Sequence, residues 1–463
     1  MKVHVKSFGC SANMAEGEII KGKFSEGSSL TETEQDADTI VLNICTVKGD
    51  KGALDEVKRV RKENPGKKIV IAGCITPSIT APIKAIDPTI QLVNTHHINE
   101  IAELKTDALA HAKPIKLMQP RVRTNPAVGI VPISSGCLDA CAFCSTRLVK
   151  GTLFSFPPDI IVDEVKKCVD DGCKEIWITG QDTCCYGFDR KTNLAKLLAQ
   201  LVEIPGDFKI RVGMGNPRHL PKFIDEMAEV MKNPKIFKFL HIPMQSGNDD
   251  VLKAMRRGHT VEQFKQLVNK FKQTIPEITI STDIIVGYPG ETTEQFNDTV
   301  NLVKELEIDN INISRFAPRP GTPAATMKNQ VHGNISKERS TILAQEYKKQ
   351  SIEKHKKWLG WEGDIIIDEK AKERIKKLPE NSPSPAASRG VLREFSPAGP
   401  AISVFHFGNV QQQQSAGYRT QNEMSGRNYA YKTVIVRENL PLGSVVRVRI
   451  IETQAWCLIG ERI

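Results

Sequence analysis

The stretch GIVPISSGCLDACAFC, residues 129–144, places three cysteines directly after a β-rich run. A short run rich in Ile and Val that is bounded by Ser and Gly predicts a buried strand. Cys137, Cys141 and Cys144, in the spacing C-x3-C-x2-C, therefore fall in the loop at the carboxyl end of that strand. In parallel α/β folds, functional sites gather at this end of the strands.

Three cysteines so close together favour an iron–sulfur cluster. Three thiolates can hold a four-iron cluster, and they leave one iron without a protein ligand, where another molecule can bind. A zinc site would normally use a fourth Cys or His close by. The plausible further donors, His219 and His241, are far away in the sequence, so zinc is the less favoured alternative.

Further strand candidates follow the first one, with helical patterns between them, over residues 122–354. Six βα units in about 230 residues predict a partial parallel (β/α)6 barrel, because a closed eight-fold barrel typically takes about 250 residues. The predicted strands are 129–135, 174–180, 208–214, 236–242, 278–287 and 310–316, and clear helical patterns cover 160–171, 221–232 and 293–306.

Residues 1–115 predict a separate open parallel α/β domain. Its β-rich runs, KVHVKSF, DTIVLNI and KKIVIAG, lead into Cys10, Cys45 and Cys74 respectively. Because all three cysteines follow strands of one parallel sheet, we expect their thiols to meet at one edge and to form a second ligand set. The alternative is three small buried side chains, which is the common role of a free cysteine.

Composition indicates a compact globular protein and disfavours three other classes. With 40% hydrophobic and 25% charged residues, the chain is neither mainly disordered nor fibrous. The N-terminus has no apolar signal-peptide region, and no run of about 18 apolar residues occurs, so secretion and membrane insertion are disfavoured and a cytoplasmic location is predicted. In that compartment the 11 cysteines favour metal binding or catalysis over disulfides.

Residues 355–463 predict a small β-barrel domain, interrupted at about 371–425 by a Pro-, Ser- and Gln-rich insertion that we expect to be disordered. The preceding helical stretch, 336–358, carries seven Lys or Arg against three Glu. The net charge of the whole chain is +10. Charge alone leaves two alternatives open, a solvated face and a surface that binds RNA.

Several motifs together resemble a known family. GCLDACAFCSTR, residues 136–147, resembles the signature of radical S-adenosylmethionine enzymes, in which the open iron of a cluster binds the cosubstrate. With the further blocks, the chain is similar to tRNA methylthiotransferases, and within them to the archaeal and eukaryotic branch that acts on N6-threonylcarbamoyladenosine. The further blocks are GCSANMAEGE, NICTVK, AGC, WITGQDTCCYG, RVGMGNPRHL, HIPMQSGNDDVLKAMRRGHT, TDIIVGYPGET and FAPRPGTPAATM.

The resemblance implies two 4Fe-4S clusters and S-adenosylmethionine as cofactors, one cluster on each cysteine set. An electron from the first cluster would cleave the cosubstrate, the resulting radical would attack the unactivated C2–H of the adenine, and the second cluster would deliver the sulfur. It also implies a TRAM-like terminal domain that binds tRNA. The reaction would need an electron donor and a sulfur donor, and the sequence identifies neither of these partners nor the oligomeric state.

The resemblance also suggests which residues contact the cosubstrate, although less firmly than it suggests the cluster ligands. For each suggested contact residue, the alternative is a purely structural role at the end of a strand. No catalytic side chain is assigned beyond the cluster cysteines. The predicted contacts are Thr179, Gly180, Gln181, Asp182, Arg211 and Gly287.

The chain departs from the family pattern at Lys150, where an Arg is usual, and at Cys184 and Cys185, which replace small residues. We expect these two cysteines to be bystanders and not ligands, because neither cysteine set lacks a member. The insertion is a third departure. Two rival functions stay open: methylthiolation of isopentenyladenosine in tRNA or of a ribosomal protein, and a non-catalytic iron–sulfur protein that binds RNA.

Overall fold

The computed structural model of the chain describes residues 1–46, 49–370 and 423–463. The first part is a five-stranded parallel sheet in the order β2-β1-β3-β4-β5. Its strands are β1 Lys2–Ser7, β2 Ser29–Leu30, β3 Thr39–Cys45, β4 Lys68–Cys74 and β5 Gln91–Asn94, and its helices are α1 Ser11–Ser25, α2 Asp50–Glu63 and α3 Pro77–Ile86. The predicted open parallel α/β unit is confirmed.

Helices cover both faces of this sheet. Alternate residues of β3 point to opposite sides: Ile40 and Leu42 pack with α2 and α3, whereas Val41 packs with Ile19 and Ile20 of α1. A strand covered on both faces needs apolar residues at nearly every position, which is why β3 and β4 read as continuous hydrophobic runs.

The central part contains all six predicted strands as two parallel sheets, in the orders β10-β9-β6 and β11-β12-β13. Gly215 N–H donates to His241 O at 3.0 Å and Phe237 N–H donates to Ile210 O at 3.0 Å, so the two sheets continue into one partial barrel. The six strands are β6 Val128–Pro132, β9 Glu175–Thr179, β10 Lys209–Val212, β11 Phe239–His241, β12 Thr279–Val286 and β13 Asn310–Arg315.

Helices cover the outside of this barrel, and a short antiparallel pair, β7 Ser134–Ser135 with β8 Phe154–Ser155, lies at the cysteine loop. Of the predicted helices, 293–306 has the expected bounds, and its start is fixed by the capping box Thr292/Gln295. The helices are α4 Thr146–Lys150, α5 Pro158–Asp170, α6 Leu194–Val202, α7 Ile224–Val230, α8 Asp249–Ala254, α9 Val261–Thr274, α10 Thr293–Leu306 and α11 Gly333–Lys356.

Helix α11 joins the barrel to the C-terminal part. Its buried residues recur every three or four positions, so one stripe faces the protein while most of its Lys side chains stay exposed. The buried residues are Ser336, Arg339, Leu343, Tyr347, Ser351 and His355.

The C-terminal part is a closed five-stranded barrel in the order β14-β15-β16-β18-β17, as predicted. Lys370, at the end of β14, pairs directly with Met424, at the start of β15. The predicted insertion at 371–425 lies outside the described residues except for its last three, of which Met424 and Ser425 belong to a strand. The strands are β14 Glu362–Lys370, β15 Met424–Arg427, β16 Thr433–Val436, β17 Val445–Thr453 and β18 Leu458–Arg462.

No helix in the described ranges has both the length and the apolar composition that crossing a membrane requires. The predicted domain boundaries, 1–115, 122–354 and 355–463, remain predictions.

Candidate active site at the strand ends

The first cysteine set lies in the loop between β7 and α4. Cys137, Cys141 and Cys144 are all half-buried. Gly136 before them has φ +76°, and a Cβ on it would lie 2.1 Å from Thr152 O, so only glycine fits where the loop leaves β7. Cys144 N–H donates to Cys141 O at 3.1 Å, which forms a tight turn between these two cysteines.

The donor chemistry of this set fits an iron–sulfur cluster. Burial and the nearby Asp182 carboxylate raise the pKa of Cys137. Burial also raises the pKa of Cys141, although Arg257, whose Nη1 lies 3.2 Å from Cys141 Sγ, opposes this. Soft thiols in a site that disfavours bare thiolates are suited to a positively charged metal core.

A buried polar network surrounds the loop. Asp139, inside the C-x3-C segment, contacts His219 Nε2 at 2.7 Å and accepts hydrogen bonds from Asn216 Nδ2 at 2.7 Å and Arg218 Nη1 at 2.8 Å. Burial alone would raise the pKa of Asp139, but His219 and Arg218 lower it. These contacts fix the orientation of the cysteine loop.

Asp182 has one oxygen engaged and one free of hydrogen bonds. Its Oδ1 accepts from Asn216 N–H at 2.8 Å and Cys184 N–H at 3.0 Å, whereas Oδ2 is buried without a hydrogen-bond partner and lies 3.7 Å from His219 Nε2. Burial raises the pKa of Asp182. Gln181 Oε1 is also buried without a partner. Two such acceptors beside the cysteine loop fit a ligand that brings hydrogen-bond donors, as the amino group of S-adenosylmethionine does.

The other predicted cosubstrate residues are more dispersed. Thr179 ends β9, directly before Gly180, and its Oγ1 lies 2.6 Å from Ser11 Oγ. The Arg211 guanidinium instead lies over aromatic rings, 5.3 Å from those of Trp177 and Tyr431.

Gly287 follows β12, where its N–H donates to Glu291 Oε2 at 2.7 Å and a Cβ would lie 2.0 Å from Ser336 Oγ. This glycine is required by the close approach of α11. Its role toward the cosubstrate, like that of Arg211, stays a prediction.

The second cysteine set meets at the edge of the N-terminal sheet, as the topology predicts. Cys45 and Cys74 are directly paired across β3 and β4. Gly9, next to Cys10, approaches so closely that a Cβ on it would lie 2.6 Å from Cys45 Cβ. The Cys74 thiol donates to Asn13 Oδ1 at 3.0 Å. The Cys45 thiol and burial raise the pKa of Cys74.

Lys150 reaches this second set from the central barrel. It ends α4, and its Nζ lies 2.6 Å from both Glu16 Oε1 and Thr95 Oγ1. Lys116 Nζ contacts the same two atoms at 2.7 Å each. Although burial opposes it, the two lysines lower the pKa of Glu16 to about 2. Lys150, where the family usually has Arg, therefore places a compact ammonium group in a buried site that it shares with Lys116.

The two cysteine sets therefore adjoin one another. Ser11, which follows Cys10, contacts Thr179 of the barrel, and Lys150 lies in the helix that directly follows the first set. Sequence reasoning missed Arg257 and Glu16. The sequence does contain a signal for Glu16: Cys10, Asn13 and Glu16 are spaced three apart at the start of a helix, which places them on the same face.

The geometry bears on two questions that the sequence leaves open, zinc binding and the role of Cys184 and Cys185. Both histidines considered as zinc ligands already have carboxylate partners, because His219 binds Asp139 and His241 Nε2 lies 2.9 Å from Asp283 Oδ1. Cys184 and Cys185 are buried, and the Cys185 thiol donates to Asp182 O at 3.2 Å. Their expected role as bystanders stays a prediction.

Two family models match the chain, one on each cysteine set. The Radical SAM superfamily matches residues 131–303, and a family described as Uncharacterized protein family UPF0004 matches residues 2–95. Among solved structures, the alignment with a radical S-adenosylmethionine methyltransferase, TsrM, from Kitasatospora setae covers 70% of this chain and 76% of that chain, with a TM-score of 0.47 and 14% identity.

Curated relatives match over most of the chain. A probable threonylcarbamoyladenosine tRNA methylthiotransferase from Pyrococcus horikoshii is 39% identical over 79% of this chain and 88% of its own length. A threonylcarbamoyladenosine tRNA methylthiotransferase from Homo sapiens is 37% identical over 80% of this chain and 66% of its own. This chain belongs to the threonylcarbamoyladenosine tRNA methylthiotransferase family.

Proposed function

We propose that this protein converts N6-threonylcarbamoyladenosine, next to the anticodon of a tRNA, to its 2-methylthio derivative. The observation that carries this proposal is that two sets of three cysteines adjoin at the ends of parallel strands. One set alone fits cosubstrate cleavage, but insertion of sulfur also needs a source of sulfur close to the radical. Membership of the family supplies the substrate.

Each cysteine set holds one 4Fe-4S cluster in this proposal. Cys137, Cys141 and Cys144 hold the first cluster, which also binds S-adenosylmethionine, and Cys10, Cys45 and Cys74 hold the second. When bound, these groups supply radical C–H activation, the inserted sulfur and the methyl group, none of which acid or base side chains could supply at an adenine C2–H.

The chain's own residues bind and orient. Asp182 Oδ2 and Gln181 Oε1, the buried acceptors without partners, receive donors of the cosubstrate. Asp139, within the cysteine loop, fixes the loop through its contact with His219, and Arg257 fixes it through its contact with Cys141. Their hydrogen bonds keep the loop in one geometry, which a radical reaction needs in order to direct hydrogen abstraction to a single atom.

The tRNA is held by the C-terminal barrel and helix α11. Phosphate contacts are offered by exposed cations in the C-terminal half of α11, directly after it and on β17: Lys348, Lys349 and Lys356, then Lys357, and Arg447. A tRNA substrate also favours the predicted cytoplasmic location.

The division into an N-terminal domain 1–115, a radical core 122–354 and an RNA-binding domain 355–463 is part of this proposal. The first two would each contribute one cluster, and the third would position the anticodon loop over both. Contacts such as Ser11 with Thr179 tie the first two together.

Mass spectrometry of tRNA nucleosides from cells with and without this chain tests the function. The proposal expects 2-methylthio-N6-threonylcarbamoyladenosine to vanish when the chain is removed and to return with it. Loss of 2-methylthio-isopentenyladenosine instead, or of a modified ribosomal protein, would support a rival substrate. Purified protein that makes no 5′-deoxyadenosine from S-adenosylmethionine would support the non-catalytic rival.

A further inference from the structure

The buried network at Lys150 carries more positive than negative charge. The side chains of Lys150, Lys116 and Glu16 are each only 4% exposed, and both ammonium groups contact the same oxygen of the single carboxylate. Thr95, the fourth member, is neutral. Two cations against one anion leave a net charge of +1 inside the protein, which is costly unless a further negative group balances it.

The balancing groups are those of the second cysteine set. Both Cys10 and Cys74 lie beside the helix that carries Glu16: Cys10 is its N-cap, and the Cys74 thiol donates to Asn13 Oδ1 at 3.0 Å, one turn before Glu16. Lys150 therefore lies close enough to interact electrostatically with Cys74 and Cys10 as well as with Glu16. Next to the network, His96 Nε2 donates to Val149 O at 3.0 Å, and burial lowers the pKa of its ring, which favours the neutral imidazole. The excess charge therefore faces the cysteines.

We propose that Lys150 and Lys116 are charge-compensating residues for the N-terminal cysteine set and that they raise the reduction potential of the cluster it holds. This inference rests on the proposed function, because it needs a cluster on Cys10, Cys45 and Cys74.

The charge balance gives the direction of the effect. A [4Fe–4S]²⁺ core with three thiolates carries a formal charge of −1, which matches the +1 of the network. Reduction by one electron adds a second negative charge, and fixed cations in a buried site favour the more negative state. Removal of one lysine should lower the potential, and removal of the Glu16 charge should raise it.

The experiment uses the full chain with Cys137, Cys141 and Cys144 all changed to Ala, so that only the N-terminal cluster forms. After anaerobic reconstitution, iron content is measured and the midpoint potential is followed by electron paramagnetic resonance. We expect Lys150→Met to shift the reduced-to-oxidised ratio at least tenfold toward the oxidised form, which is 59 mV for a one-electron couple. Lys116→Met should shift it in the same direction.

Three further variants separate charge from structural damage. Glu16→Gln should shift the potential in the opposite direction, which no general loosening of the site would do. Lys150→Arg should restore most of the original potential. Lys432→Met removes another buried lysine, paired with Asp309 at the C-terminal barrel, and should leave the potential unchanged.

The outcomes distinguish this inference from the proposed function. If the chain without the first set holds no iron, the second cluster does not exist and both proposals fail. If the cluster forms but Lys150→Met and Glu16→Gln shift the potential in the same direction, or neither shifts it, only this inference is overturned. If Lys150→Met loses the cluster, the sign of the Glu16→Gln shift decides.

Discussion

Tyr431 of the C-terminal barrel packs against the central barrel. It lies between β15 and β16 with its ring centroid 4.9 Å from those of Phe237 and Phe239. The guanidinium groups of Arg211 and Arg427 lie 5.3 and 5.0 Å from its ring centroid. Its backbone is left-handed, with φ +58°, which is unfavourable for a residue with a Cβ.

Truncation of this side chain should cost stability in an amount that the contacts set. Loss of a packed aromatic ring costs roughly 3 kcal/mol, and each lost cation–π contact adds about 0.5 kcal/mol. We therefore expect Tyr431→Ala to lower the free energy of unfolding by about 3 to 4 kcal/mol. Tyr431→Gly loses the same contacts but relieves about 1 kcal/mol of left-handed strain, so it should be the more stable of the two.

Urea unfolding of the iron-free chain, followed by tryptophan fluorescence, measures both values. Tyr429, whose ring packs against Trp358 and Trp361 and whose backbone is not left-handed, is the matched control, and there the Gly variant should be less stable than the Ala variant. A loss below 1 kcal/mol for Tyr431→Ala, or the ordinary order of Ala over Gly at position 431, would refute the reasoning.

Three other predictions concern pH, tRNA and the insertion. Burial and the Asp368 carboxylate raise the pKa of Glu175 from 4.5 to about 8, so the folded state should lose up to roughly 4 kcal/mol as pH rises from about 5 to above 8. Glu175→Gln should abolish that loss, and equal pH profiles of Tm for the two proteins would contradict this. Lys356→Glu with Lys357→Glu should weaken tRNA binding about tenfold at low salt and leave 5′-deoxyadenosine formation unchanged, whereas affinity independent of salt would argue against a phosphate-binding surface. Replacement of residues 371–422 by a two-residue turn should preserve the barrel, because the residues that flank the insertion are already paired. The shorter loop should raise the free energy of unfolding by about 3 kcal/mol through its lower closure entropy, and a lower Tm would count against the insertion as a dispensable loop.

Elements that depend on local pattern and on topology could be predicted from the sequence. The six barrel strands have short apolar runs with clear boundaries, and α10 starts at a capping box written in the sequence as Thr292 and Gln295. The meeting of Cys45 and Cys74 follows from topology alone, because the ends of neighbouring parallel strands must lie side by side.

Contacts between distant segments could not be predicted. The family resemblance predicts that Arg211 lies near the cosubstrate, but its neighbours include Tyr431, 220 residues later. Glu16 and Lys150 were not linked, since a buried ion pair leaves no periodic signal in the sequence. Helix α7 begins only at Ile224, after a tighter single turn at Leu220–Phe223, because Pro221 fixes the local backbone.

The central claim, that two cysteine sets hold two clusters with different tasks, is tested most directly by comparing Cys141→Ala with Cys45→Ala. The anaerobically reconstituted wild-type chain should hold about eight irons. Cys141→Ala should make neither 5′-deoxyadenosine nor methylthiolated tRNA, whereas Cys45→Ala should still make 5′-deoxyadenosine but no methylthiolated tRNA. Full iron content and full methylthiolation by Cys45→Ala would contradict the account.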